Sequence, residues 1–199
     1  MLTATYTLVA LSVEQTHMRV SLHAVQQLVG KSYARQTALT VGQAEYVCDT
    51  LRGLYESCQR RKLDRFLLPA LRRASANADG LVAELDGLSR DAVEALATAT
   101  ELLQAGIDSE ERVEAFCTAV ERFCAALTLR FEREELELFP VARVAIASEA
   151  WFAMAHQMLA HDAYREEHRV HLVTPPASRA ARPEHPHRQA PAPHTHYVH

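Results

Sequence analysis

The sequence predicts an all-α fold: an up-down four-helix bundle with an extra C-terminal packing helix and a disordered tail. Three observations carry this. Apolar residues recur at helical spacing through four long stretches, and no strand-like alternation survives between them. The connections between the stretches are short, which sets neighbouring helices antiparallel. Finally, residues 64–72, DRFLLPALR, are echoed by residues 135–143, ELELFPVAR. Pro69 and Pro140 within them are the only prolines before residue 175. A proline inside a helix removes a hydrogen bond and kinks the chain, so two at matching places indicate a duplicated helical hairpin.

The first helix is expected over about residues 5–29. Met18, Leu22, Val25 and Val29 form one stripe, with Val13, His17, Val20 and Ala24 beside it. Gly30 reads as its stop. The second runs from about residue 42 to residue 75 through Leu51, Leu54, Cys58, Phe66 and Leu67. The third starts near residues 77–80 and carries Val82, Leu85, Ala92, Leu96 and Leu103 to a break at Gly106. The fourth opens on acidic residues at 108–111, suited to the positive end of a helix dipole, and continues to Leu138. A shorter amphipathic piece over 149–164 holds Trp151, Met154, Met158 and Leu159 and offers a dimer face. The bundle is assigned to residues 1–170 and the tail to 171–199. From residue 174 onward there are six prolines and five histidines with almost no apolar side chains. Such a segment buries too little to offset ordering entropy, and its histidines are a place for weak metal chelation.

Composition excludes several functions. The net charge is -4 and no basic patch dominates, which argues against non-specific nucleic-acid binding. The apolar run at residues 6–13 has no basic segment before it and Glu14 just after, so it reads as neither a signal peptide nor a membrane span. The four cysteines, Cys48, Cys58, Cys117 and Cys124, lack CxxC spacing and read as reduced, buried thiols of a cytoplasmic protein. There is no nucleophile elbow, no phosphate-cradling glycine loop, and no Ser-His or Cys-His spacing. An enzyme is not expected.

Several stretches together resemble one family. RKLDRFLLPALRR looks like the second-helix motif of bacterial hemerythrin-like (HHE, cation-binding) proteins, and LRFEREELELFPVAR looks like the fourth. EQTHMRVSLHAV is similar to the first-helix motif, and AWFAMAHQMLAHDAY to the Trp-containing C-terminal helix. The resemblance covers about residues 5–166. It implies a bundle built from a repeated hairpin. It also implies two irons held by a histidine in each of the first and third helices and a His-x-x-x-Glu in each of the second and fourth. Such centres serve oxygen binding, oxygen or nitric-oxide sensing, or repair of iron centres.

Carried over position by position, most of these ligands are replaced. Counting back from Leu138-Phe139-Pro140, the His-x-x-x-Glu positions fall on Arg130 and Glu134. Counting back from Leu67-Leu68-Pro69, they fall on Gln59 and Leu63. The first-helix histidine falls on His17. Aligning Val93 with Val20 puts Arg90 at the third-helix position. Only His17 and Glu134 keep the ligand type, and two arginines would repel a cation in a low-dielectric interior. No cofactor is expected, di-iron included, unless other residues supply the ligands.

The replacements suggest a different use of the centre. Phe116, Val120, Phe123, Leu127, Arg130 and Glu134 are spaced four, three, four, three and four apart, one inward stripe of a bundle helix. Arg130, with Arg90, is then expected to stand against Glu134 where the metal would be, with Gln59 and His17 satisfying the remaining groups and Leu63 filling space. The alternative is that Arg130 snorkels outward and Glu134 faces solvent. Among histidines near the chain's end, only His168 and His171 share a helical face, which allows surface metal binding at most. The function expected is a non-catalytic binding, regulatory or structural module whose partner is a protein or a small molecule, homodimerisation included. The rival readings are a metal-binding hemerythrin-like sensor and a small-molecule carrier using the bundle interior.

Overall fold

The computed structural model describes residues 2–34 and 39–173, with side chains over 2–30 and 39–165. It is all-helical, with no strand among the described residues. The elements are α1 (Leu2–Ala34), α2 (Val41–Gln59), α3 (Leu68–Ala74), α4 (Asp79–Ala105), α5 (Glu110–Arg133), α6 (Phe139–Ala145) and α7 (Ser148–Val173). The chain divides into two units, Met1–His161 and Asp162–His199. Of the tail expected over 171–199, residues 171–173 belong to α7; the rest lies outside the described residues, and so do the side chains of His168 and His171.

Each helix end has a local cause. Thr40 caps α2 with a capping box: its side chain accepts from the Gln43 N–H, and the Gln43 side chain accepts from the Thr40 N–H. Ser109 caps α5 by accepting from the Arg112 N–H. Gly106 ends α4 at φ +92°, a conformation only glycine adopts without strain. Arg112 Nη1 then donates to the carbonyls of Ala105 and Gly106, both at 3.2 Å, capping the negative end of α4. Gly30 is not a stop. α1 runs through it to Ala34, because a glycine lacking a terminating left-handed turn costs a helix only about 1 kcal/mol.

The expected second and fourth helices are each interrupted. α2 ends at Gln59, and a π-helical turn, Leu63–Leu67, precedes α3. A matching π-helical turn, Glu134–Leu138, joins α5 to α6. Their wide closures are alike: the Leu68 N–H donates to the Leu63 carbonyl, and the Phe139 N–H to the Glu134 carbonyl. Pro69 and Pro140 follow in the first turn of α3 and α6. A proline ring clashes with the carbonyl four residues back, here Arg65 and Leu136, and both lie inside the widened turns. α3 and α6 contact each other, so the two prolines belong to neighbouring elements, as a duplicated hairpin requires.

The core has two parts. One gathers Met18 to Val29 of α1, Val47 to Cys58 of α2, Ala92 to Ala99 of α4 and Phe116 to Phe131 of α5. The other gathers Ala4 to Leu11 of α1, Leu63 to Leu71, Ala78 to Leu85, and Leu138 to Ile146. Each of the four long helical runs therefore passes from one cluster to the other, and successive runs pass in opposite directions. α4 packs on α5, α5 on α1, α1 on α2 and α2 on α4. Trp151, Met154 and Met158 of α7 are 3%, 3% and 6% exposed and belong to the second cluster. The dimer face expected on those three residues is thus spent on the core.

Candidate functional site

Where the four runs cross between clusters, their inward positions turn polar. Gln15 follows Leu11, Arg61 follows Cys58, Ser89 follows Leu85, and Arg130 and Glu134 bracket Phe131. Glu134 is 0% exposed, Gln15 1%, Arg61 2% and Arg130 5%. A carboxylate taken fully from water is tolerated only if it is paired and hydrogen-bonded, and Glu134 is both. Arg61 grips it in a fork, Nη1 to Oε2 at 2.7 Å and Nη2 to Oε1 at 2.6 Å. Arg130 Nε donates to Oε1 at 2.9 Å, and Gln15 Nε2 donates to Oε2.

The two guanidinium groups are held in turn. Arg130 Nη2 donates to Asp64 Oδ1 at 2.6 Å, and Arg130 Nη1 donates to the Ser89 hydroxyl. Arg61 Nη2 lies 3.3 Å from Asp64 Oδ2. Its Nε donates to the Cys58 carbonyl at 3.4 Å, and its plane sits 5.1 Å from the Phe131 ring centre, a cation–π contact. Two arginines and two carboxylates make the layer neutral. Burial alone would lower the pKa of Arg61, but the charge and hydrogen bonds of Glu134, together with the charge of Asp64, outweigh it and raise the value. Burial likewise acts to raise the pKa of Glu134. The charge and hydrogen bonds of Arg61, then those of Arg130, outweigh it and hold the carboxyl below the ordinary range.

Of the six positions singled out in the sequence, the layer contains Arg130 and Glu134. Leu63 is buried, and it opens its π-helical turn as Glu134 opens the other. The roles expected of the other three are corrected. His17 is exposed, because the core stripe of α1 passes through Gln15 and Met18 on either side of it. Gln59 is exposed and bonds to the Tyr55 hydroxyl one turn back. Arg90 is exposed, and Ser89 beside it faces Arg130. Gln15, Arg61, Asp64 and Ser89 were missed by sequence reasoning.

A recess of about 250 Å³ opens over one edge of the layer. Tyr55, Gln59, Asp64, Ser89, Leu127 and Arg130 are among its lining.

This donor set does not fit a di-iron centre. Both oxygens of Glu134 are already taken by cationic or amide donors, and no imidazole faces it among the hydrogen bonds described. The described residues contain no group of three or more His, Cys, Asp or Glu placed to hold a metal ion. Chemically, the layer can hold four helices in register and can present Arg130 and Asp64 to the recess. No family model, no curated protein and no solved structure matches the chain.

Proposed function

We propose that this chain is a hemerythrin-like four-helix bundle in which an arginine–carboxylate layer stands where metal-binding members hold two irons, and that it works as a non-catalytic binding, regulatory or structural module. The observation that carries the reading is the fork of Arg61 on Glu134, with Arg130 on the same carboxylate. Two guanidinium groups supply the positive charge that metal would supply. The bundle itself is supported by the closed cycle of helix contacts, by the alternating direction of the four runs, and by the paired proline turns. Fold alone does not give function, so the reading rests on this layer.

Elemental analysis of the purified chain, before and after proteolytic removal of its His-rich C-terminal stretch, tests the proposal. Iron far below one per chain in both samples is the expected result. About two irons per chain surviving the cleavage, the complement of a di-iron bundle, would return the chain to the metal-binding sensors.

The recess beside Arg130 favours a second reading, a small-molecule carrier. It relocates the ligand from the bundle interior, which the polar layer occupies, to a pocket with hydroxyl, amide, carboxylate and guanidinium groups on its walls. Native mass spectrometry of freshly purified protein decides it. A retained species that is lost in Ser89→Leu supports the carrier, and a bare chain mass removes it. The cytoplasmic assignment is supported by four free, buried cysteines. Among the described residues, no single helix is long and apolar enough to cross a membrane.

A further inference from the structure

The helix α1 carries two apolar seams. The inner one is Ala4, Leu8, Leu11, Met18, Leu22, Val25 and Val29, all buried, interrupted only by Gln15. The outer one is Leu2, Tyr6, Val9, Val13 and Val20, interrupted only by Thr16. Its spacing alternates four and three, the 3.5-residue period of a coiled-coil seam. Leu2 is 90% exposed, Tyr6 64%, Val9 55%, Val13 51% and Val20 65%. Scattered exposed apolar residues need no explanation, but a seam in register over about 27 Å of helix does. Val9 also lines a groove of about 440 Å³, shared with Phe139, Pro140 and Val144. Val144 is 89% exposed.

We propose that this outer seam of α1 binds the same seam on a second copy of the chain. Two features select that occupant. The first is area. Residues of these types at these exposures offer on the order of 650 Å² per chain, within the lower part of what each partner contributes to a stable interface. The second is charge. The α1 positions flanking the seam are Thr3, Thr5, Ala10, Ser12, His17 and Arg19. Glu135 and Arg143, one of each sign, line the groove beside Val9, and Glu135 pairs with Arg19 at 3.3 Å. A two-fold interface sets a patch against itself, and a patch whose few charges offset one another meets little net like charge there. A strongly charged partner would find no charge on α1 along residues 2–13 and only the offsetting Glu135 and Arg143 beside it. A lipid surface would call for several basic residues beside the apolar face, whereas α1 residues 2–18 contain neither Lys nor Arg and the groove lining adds Arg143 alone. The occupant that fits is a second α1, crossing at the shallow angle of about 20° that such seams adopt.

Sedimentation equilibrium of the full chain across a hundredfold concentration range reads the outcome, with Val9→Lys/Val13→Lys as the variant. Both side chains are more than half exposed, so the variant should keep its helical circular dichroism. The expected result is a dimer for the parent and a monomer for the variant, at least a tenfold weakening. A second readout is the pair of variants Thr16→Cys and Val9→Cys/Val13→Cys: an intermolecular disulfide under mild oxidation is expected in the first where the two helices run parallel and in the second where they run antiparallel. A parent that stays monomeric throughout overturns the proposal, and so does a dimer that survives the two lysines. A monomer that instead co-sediments with phosphatidylcholine/phosphatidylserine vesicles assigns the seam to lipid and overturns it as well.

Discussion

Arg61 and Glu134, 73 positions apart in sequence, meet in a two-pronged ion pair with both partners fully buried. Glu134 thereby ties the break after α2 to the π-helical turn after α5. Arg130 and Gln15 complete its shell. A carboxylate with this many donors is the least replaceable residue of the layer.

Changing Glu134 to Ala strands two guanidinium groups in the core. Loss of one partner of a buried pair costs about 3–5 kcal/mol, and that loss is expected here by urea denaturation. The double change Arg130→Leu/Glu134→Leu should recover a large part of it, because Arg61 is left opposite Asp64 and charge stays balanced. A Glu134→Ala chain as stable as the parent would mean that the layer is solvated.

The fork, and not only the charge, should matter at Arg61. Arg61→Leu leaves Glu134 with Arg130 as its one cationic partner and Gln15 as its amide donor, and is expected to cost about 3–5 kcal/mol. Arg61→Lys keeps the charge but loses the planar pair of donors, so an intermediate loss of about 1–3 kcal/mol is expected. Melting temperatures in the order parent, Lys, Leu check this. Equal values for Lys and Arg would show that geometry contributes nothing.

Acid should unfold the chain through Glu134. Its carboxyl is held below the ordinary 4.5, so the unfolded chain takes up this proton at a higher pH than the folded chain does. The stabilisation from Glu134 is therefore complete above about pH 4.5 and is lost as pH falls through the lower folded value. Urea midpoints measured from neutral pH downward should be flat in the parent until that range and then fall. In Glu134→Gln the midpoint should start lower and fall less. Parallel curves would assign the acid transition to other carboxylates.

The four cysteines should be inert in the folded chain. Burial pushes Cys58 up to about 11 and Cys124 to about 12, and raises Cys48 and Cys117 as well. The thiolate is the reactive form. Ellman's reagent at mildly alkaline pH should titrate them only on addition of denaturant. Rapid labelling of the native chain would contradict their placement.

What could be read from the sequence followed helix continuity. Arg130 and Glu134 lie on an unbroken stripe from Phe116, and counting by four and three carries inward-facing phase along it. Arg61 lies past the end of α2, where residues 60 and 61 leave the helix and a π-helical turn follows. Counting back from Pro69 across that break keeps Leu63 inside but selects Gln59, which is outside. Gln15 and Ser89 did carry a signal. Each is the polar member of an apolar stripe, Leu8-Leu11-Met18-Leu22 and Val82-Leu85-Ala92, whereas the resemblance puts His17, and the alignment of Val93 with Val20 puts Arg90, at those places. Asp64 carried little, because Arg130 is 66 residues away on another helix and Arg61, three residues before it, stands in the break after α2 where helical phase is lost.

The paired π-helical turns constrain how this chain can change length. In each turn the wide closure absorbs one residue, because the Phe139 N–H reaches the Glu134 carbonyl and the Leu68 N–H the Leu63 carbonyl, five positions back. Removing one residue from 135–137 would bring Phe139 to four positions from Glu134, the ordinary helical closure, with Phe139 and Ala142 still facing the core. The same holds for residues 64–66 and Leu71. A single deletion inside α5 would instead rotate everything beyond it by about 100°, so the two turns mark where these runs can shorten by one residue without repacking.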